Sequence, residues 1–321
     1  MEKFSQFRDR GSGIAPFLPV PPQPSGYALP FHVFLFCFRL PLLVTVCLTY
    51  FVILQWLPIG SLGKKASLWC ILGVPSLWWI DLQVDGVKRG SLAKQHGGRL
   101  PEGRSIIASS FTSPIDAIYL AAVFDPVFTA SYPNTRKVEH LSLFQAILRA
   151  FAQPQVQPSP NAHLVELSDL LARYPNRPIA VFPECTTTNG RGILPLSPSI
   201  VADLPARTKV FPVSVRYTPA DITTPVPASY FTFLWNLLSR PTHFIRVRVA
   251  EAVESVGRPS TSAALDSCSG DKDSAGLTKD EQAIIDRVGE ALARLGRVKR
   301  VGLGVREKQE FVKLWNRTKR S

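Results

Sequence analysis

The stretch VFPECTTTNGRGIL, from Val181 to Leu194, changes character at its third residue. The run Ile179 to Phe182 that leads into it is apolar and fit for a buried strand. Pro183 lacks the amide proton that a sheet ladder needs, so the strand ends there. Glu184 then falls at the carboxyl end of the strand, where open α/β sheets present ligands. Thr186, Thr187 and Thr188 follow, then an Asn189-Gly190 turn and the positive charge of Arg191. Such a loop offers hydroxyl and backbone donors to a polar group. The same punctuation also marks an ordinary strand-to-loop transition, and physical chemistry alone leaves both readings open.

On either side of this strand the chain alternates between strand and helix patterns. Ser105–Ser109, Lys209–Tyr217 and Phe244–Val249 read as strands; Pro114–Phe124, His140–Ala152 and Leu164–Tyr174 read as helices. Strands separated by helices predict an α/β domain with a mixed, partly parallel sheet, here over residues 90–256. Residues 257–277 form a polar, Ser/Asp-rich linker. Thr278 and Glu281 then make a capping box. Ile285, Val288, Leu292 and Leu295 share one helical face, and Gly296 ends it. Residues 278–321 are thus an amphipathic helix and a basic tail.

The amino-terminal part is different. Residues 1–30 are rich in proline and glycine and are expected to lack fixed structure. From Leu40 to Leu57 there is no charge, over about the length that crosses a bilayer core. A second apolar run, Ala66 to Ile80, is interrupted by Gly73 and Pro75, and Trp56, Trp69, Trp78 and Trp79 suit an interfacial position. Residues 31–82 therefore read as a helical membrane anchor, monotopic or re-entrant, with both ends facing the cytosol. A buried core helix is the alternative.

Composition narrows the function classes. A hydrophobic content of 45% excludes a wholly disordered chain, and a net charge of +13 suits an anionic partner. Cys37, Cys47, Cys70, Cys185 and Cys268 form no CxxC pair, which argues against a disulfide framework or a zinc site and favours a reducing, cytosol-facing location. Nucleic acid is a poor partner, because only Phe311 and Trp315 interleave the basic tail.

Phe182-Pro183-Glu184-Cys185-Thr186-Thr187-Thr188 resembles the F-P-E-G-T-R-S signature of glycerolipid acyltransferases of the lysophosphatidic acid acyltransferase type. Upstream, Ser110-Phe111-Thr112-Ser113-Pro114-Ile115-Asp116 resembles their N-H-x-x-x-x-D signature, and Phe211-Pro212-Val213 a later V-P-V element. Order and spacing agree over residues 100–220, and the wording is most similar to a fungal subgroup associated with the endoplasmic reticulum and lipid droplets. The resemblance implies an acyltransferase-type αβ domain and acyl transfer from acyl-CoA, as co-substrate, to a lysophospholipid such as lysophosphatidic acid. It implies no cofactor and no metal, with membrane lipids as the other partners.

Carried over residue by residue, the resemblance makes Asp116 catalytic and lines the substrate site with Glu184, Thr186, Thr187, Asn189, Gly190 and Arg191. In the family a histidine takes the proton of the acceptor hydroxyl and the aspartate orients it. Here Phe111 occupies the histidine position, and a phenyl ring accepts no proton. None of His32, His96, His140, His163 and His243 is followed five residues later by an aspartate, as the signature requires; His140 and His163 remain as substitute bases. Cys185 stands for the signature glycine. Thr187 stands for the signature arginine, whose charge Arg191 is expected to supply, and Arg136 and Lys137 are the nearest basic candidates for the family's second motif. The rival expectation is a catalytically silent relative that binds lipid or a protein partner, with Phe111 as the feature that separates the two.

Overall fold

The structure, a computed structural model, describes residues 2–24, 26–55, 61–87, 98–201, 204–205, 207–255 and 277–320. The expected linker up to residue 276, along with Trp56, His96 and Cys268, lies outside the described residues.

The domain is an α/β sandwich around a mixed sheet. Its strands are β1 (Trp79–Val84), β2 (Ser105–Ser109), β3 (Val127–Ala130), β4 (Val138–Leu141), β5 (Leu164–Val165), β6 (Ile179–Val181), β8 (Lys209–Thr218), β9 (Phe244–Val249) and β10 (Val253–Glu254). A separate short pair joins β7 (Gly192–Ile193) to β11 (Lys299–Arg300). The order is β1-β9-β8-β2-β6-β3-β4-β5, with β10 on β8. The four central strands, β8, β2, β6 and β3, run parallel to one another. Both sheet faces are covered, which is why β2 and β6 are apolar throughout rather than alternating. Ile106, Ala108, Ile179 and Val181 pack toward α5 (Leu167–Arg173) and α7 (Lys279–Gly296). Ile107, Ala180 and Phe211 pack on the other side, with α2 (Ser61–Gly73), α3 (Pro114–Phe124), α4 (Leu143–Arg149) and α6 (Tyr230–Ser239).

Four expectations change, the first being that the helix read over Leu164–Tyr174 starts at Leu167, with Leu164 and Val165 in β5. The helix expected from His140 begins only at Leu143, because Ser142 and Gln145 form a reciprocal capping box, and His140 belongs to β4. The second apolar run is part of the α/β domain rather than a separate segment. Its Gly73–Pro75 interruption is a turn between α2, whose Leu68, Ile71 and Leu72 enter the core, and β1, an edge strand parallel to β9. The domain thus begins well before residue 90. Residues 2–18, expected to be unstructured, form a strap: a 3₁₀ turn (Glu2–Phe7) and an extended segment that lie on α8 (Val305–Arg320). Phe4, Phe7 and Phe17 each place a ring 5.3–6.1 Å from Phe311, and Asp9 accepts from the Gly302 amide at 3.0 Å. An aromatic partner almost a full chain length away gives this proline-rich segment the apolar burial that its composition alone does not promise.

Helix α1 (Leu29–Leu48), with its π-helical continuation Thr49–Leu54, is the one described helix long and apolar enough to cross a membrane. One stripe of it faces protein: His32, Phe36, Arg39, Leu43, Val46, Cys47 and Tyr50, at helical spacing. Arg39, the single charge of the run, donates to the carbonyls of Leu238, Arg240 and Pro241 and to Ser76 Oγ, which fixes the helix to the end of α6. The opposite face is apolar and bare, with Phe34 62% and Phe38 58% exposed. These two rings stack on each other, 6.1 Å apart. A charge at the centre of a bilayer-buried helix costs about 2.5–3.5 kcal/mol. Phe34→Glu combined with Phe38→Glu is therefore expected to release the protein from carbonate-washed membranes while its melting temperature in detergent stays at the wild-type value. Full retention of the variant in the membrane pellet would count against this face as the membrane contact.

Candidate active site

The parallel strands β2 and β6 end side by side, so the two segments that follow them share one space. After β2, Ser110 donates its amide to the Val213 carbonyl and accepts from the Val215 amide at its Oγ, which continues the sheet by one residue. Ser113 is the N-cap of α3. Asp116, at the third helical position, turns back to accept the amides of Thr112 (2.7 Å) and Ser113 (3.0 Å). Between them Phe111 is 2% exposed, with its ring stacked on Phe182 at 4.4 Å; Phe128 continues the stack.

After β6, Pro183 ends the ladder as the sequence predicts. Cys185 adopts φ +59°, the left-handed region that a side chain disfavours; a glycine at this signature position meets no such cost. Asn189 accepts the Arg191 amide and Thr188 the Gly190 amide, which closes the turn. The Thr188 amide donates to the Phe111 carbonyl at 3.0 Å and so ties the two segments together. The strap covers the turn: Asn189 donates through Nδ2 to the Ala15 and Leu18 carbonyls, both at 2.8 Å, and through its amide to Pro16. Gly190 stands at the rim and Arg191 on the surface.

Glu184 is not projected outward. It is 1% exposed, and its Oε2 accepts the Leu194 amide at 3.1 Å. Oε1 makes no hydrogen bond of full geometry; the Phe111 amide and the charge of Lys308 act on this carboxyl electrostatically. Burial pushes Glu184 up to about 8, with the neighbouring Asp116 adding to the rise. Asp116 is equally buried and reaches only about 6, because burial is opposed by the Tyr217 hydroxyl, which donates to Oδ1, and by Thr112 and Ser113 on Oδ2. At neutral pH Asp116 therefore holds the negative charge and Glu184 mostly holds its proton.

The cation of this cluster comes from α8. Lys308 is fully buried, and its Nζ donates to Thr186 Oγ1 (2.9 Å), Thr187 Oγ1 (3.0 Å) and the Thr187 carbonyl (2.6 Å). Burial lowers it to about 7, against the opposing pull of Glu184. Lys308 lies in the segment whose composition reads as a basic tail. Its spacing with Val305, Phe311, Val312 and Trp315 puts it on the apolar face of the helix, and that periodicity was the available signal.

Beside the Phe111–Phe182 stack lies a narrow cleft lined by Ser131, Ala146, Arg149 and Cys185. Arg149 is half-buried, stacks on the Tyr132 ring at 4.9 Å and donates to Gln155 Oε1 at 2.8 Å, with no carboxylate among its described partners. Across α4 and the first turn of α3 is a cavity of about 200 Å³ with a wholly apolar lining, including Leu43 and Cys47 of α1, Pro114, Ile115, Ile147 and Phe151. Arg136 and Lys137 are engaged by Glu281 and Glu166 rather than by this site. The imidazoles are elsewhere: His140 stacks on Tyr174, His163 is exposed, and His243 is buried against the Leu237 carbonyl and lowered to about 4. Burial pushes the Cys185 thiol up to about 12, far from a nucleophile's range.

Two curated fungal proteins are similar to the chain over about three-quarters of its length. A putative lysophosphatidic acid:oleoyl-CoA acyltransferase of Schizosaccharomyces pombe is 29% identical over 258 residues, covering 77% of this chain and 83% of that one. Lysophosphatidic acid:oleoyl-CoA acyltransferase 1 of Saccharomyces cerevisiae is 27% identical over 256 residues, covering 75% and 80%. No family model matches the chain, and no solved structure matches it. The likeness to fungal acyltransferases of this kind, carried by the two signatures, thus extends over three-quarters of the sequence.

The raised Glu184 has a consequence for stability. A carboxyl whose folded value lies above its unfolded value of 4.5 contributes stability that is full below pH 4.5 and is lost as pH rises toward about 8. Glu184→Gln removes that slope. The difference in melting temperature, variant minus wild type, is expected to grow in the variant's favour between pH 5 and pH 8; thermal melts of both proteins in detergent across that range provide the check, and a constant difference would contradict it.

Proposed function

We propose that this protein transfers an acyl chain from acyl-CoA to a lysophospholipid, with lysophosphatidic acid as the first candidate acceptor and phosphatidic acid as its product. The observation that carries the reading is the all-apolar cavity of about 200 Å³ on one side of α4, lined by Ile147 and Phe151, with the half-buried Arg149 on the other side at a cleft of about 10 Å³, room for a single water. The apolar cavity suits an acyl chain, a phosphate reaches Arg149 only once the cleft widens, and the names of the two fungal relatives support the reading. The apolar face of α1 supports a reaction at a membrane surface. Within this proposal the resemblance favours the cytosolic face of the endoplasmic reticulum or of lipid droplets.

In this reading Arg149, rather than the surface residue Arg191, meets the phosphate. A charge-assisted hydrogen bond contributes about 1.5–3 kcal/mol, which corresponds to roughly tenfold or more in affinity. A phosphate clamp away from the reacting bond holds ground and transition states alike. Arg149→Met is thus expected to raise KM for the lysolipid by about tenfold or more with kcat little changed, and Arg191→Ala to leave both near wild type. Steady-state kinetics on the purified protein decide; the reverse pattern would move the headgroup site to the surface turn.

A second reading has its own observation. Phe111 fills the base position, and both oxygens of Asp116 are already engaged by Thr112, Ser113 and Tyr217. General-base assistance is worth roughly 10²–10⁴ in rate, so a site without it is slow or silent. Phe111→His alone is expected not to accelerate transfer, since it places a polar ring against Phe182 at a cost of about 1–3 kcal/mol and finds Asp116 taken. Adding Tyr217→Phe frees Oδ1, and the double variant is expected to outpace Phe111→His. Incorporation of labelled acyl-CoA over a lysolipid panel tests both readings. Wild type and the double variant both inactive while still binding lipid would leave the silent-relative reading standing.

A further inference from the structure

The signature arginine is Thr187 in this chain, and the nearest alternative in sequence, Arg191, lies on the surface. The loop from Glu184 to Thr188 is nonetheless built around a cation. Three oxygens of Thr186 and Thr187 converge on one point, and the Thr187 hydroxyl, which donates to the Thr224 carbonyl at 2.6 Å, has only its acceptor capacity left to offer there. An ammonium has three donors and no acceptor, so it matches three converging acceptors.

We propose that Lys308 is a positioning residue of the site: reaching in from α8, it holds the Glu184–Thr188 loop in its buried conformation in place of the charge that Thr187 omits. Lys308 acts through the loop and touches no cleft-lining atom described here, so it is not a catalytic residue. Glu184 is the charged group whose field reaches it, with Asp116 of α3 acting in turn on Glu184. Asp9 of the strap is bonded to Ser12 and Gly302, and Arg149 of α4 to Gln155 and Tyr132. Without the ammonium, the Thr187 carbonyl and the Thr186 hydroxyl are left buried without a donor, and the loop regains them only by opening to water.

Cys185 reports this directly, because its thiol is buried within the loop whereas Cys37 and Cys70 are exposed. The experiment uses the full chain in detergent, with site-resolved mass-spectrometric labelling by a maleimide. In wild type, Cys185 is expected to stay protected. In Lys308→Met it is expected to react at least about tenfold faster, with Cys47, packed between α1 and the core, unchanged as the control. Lys308→Met labelled at the wild-type rate overturns the proposal. Should that variant label Cys47 as well, Thr187→Val, which deletes one of the three acceptors, is read in its place: faster Cys185 labelling supports the proposal and the wild-type rate overturns it. The kinetic arm rests on the acyl-transfer reading. There, Lys308→Met is expected to raise KM for the lysolipid on the order of tenfold and to leave KM for acyl-CoA unchanged, whereas mere loss of folded protein lowers Vmax and moves neither KM. If wild type transfers no acyl chain to any lysolipid, the acyl-transfer reading fails and the Cys185 arm still decides the role of Lys308.

Discussion

Two carboxyl groups, Asp116 and Glu184, are buried at the adjacent ends of two parallel strands, and much of the architecture around them serves to keep that burial tolerable. An isolated carboxylate in a low-dielectric interior is expensive. The chain divides the problem. Asp116 receives two amides, a threonine hydroxyl and a tyrosine hydroxyl, and keeps its charge. Glu184 receives one amide at full geometry and gives its charge up near neutrality. Helix α8, bonded to the same loop, brings the compensating ammonium, and the strap in turn buries the outer face of α8. The order of dependence therefore runs outward from the strand ends to both extremities of the described chain.

Some of this was legible in the sequence. Helix α3 and strand β9 begin and end where the residues said, and α7 starts at the Thr278–Glu281 capping box and ends at Gly296 as read, because their signals are local: a cap, a run of alternation, a glycine. Helix α4 was read too long because an apolar periodicity overrode the Ser142 cap. What failed was non-local. Phe4, Phe7 and Phe17 look like scattered aromatics in a proline-rich segment until Phe311 and Trp315 are placed beside them. The strand-end position of Glu184 suggests a presented side chain, but that position says where a side chain starts and not whether neighbouring segments close over it. Arg191 is the expected replacement because it stands four residues from Thr187, and neither Arg149 nor Lys308 is near it in sequence. Proximity along the chain is a weak guide to which cation reaches a buried loop.

Phe111 changes the character of the site more than the loss of one proton acceptor implies. With Phe182 and Phe128 it forms a continuous aromatic stack from the end of β2 across β6 to β3. A histidine here would need a partner for each ring nitrogen; phenyl needs none and packs densely. At this position the chain has a densely packed phenyl ring where the resemblance implies an imidazole. The Tyr217–Asp116 hydrogen bond is consistent with that difference, because it occupies an oxygen that an imidazole would otherwise claim. In this chain the aspartate retains the capping half of its work in the first turn of α3.

The strap has a further consequence for biosynthesis. Phe17 and Phe311 are separated by about 290 residues, which at a usual synthesis rate of roughly 5–20 residues per second means an interval of roughly 15–60 s between the emergence of one and of its partner. Throughout that interval the strap's three phenylalanines lack their aromatic partners on α8, although Leu194 and Val226, which pack in the same cluster, emerge earlier. Membrane capture of α1 in the same period would keep the strap beside the bilayer surface, sheltered from aggregation, until α8 arrives. Closure of the two ends over the Glu184 loop would then be among the final events of folding, so any acyl-transfer chemistry would begin only after the protein is already on its membrane.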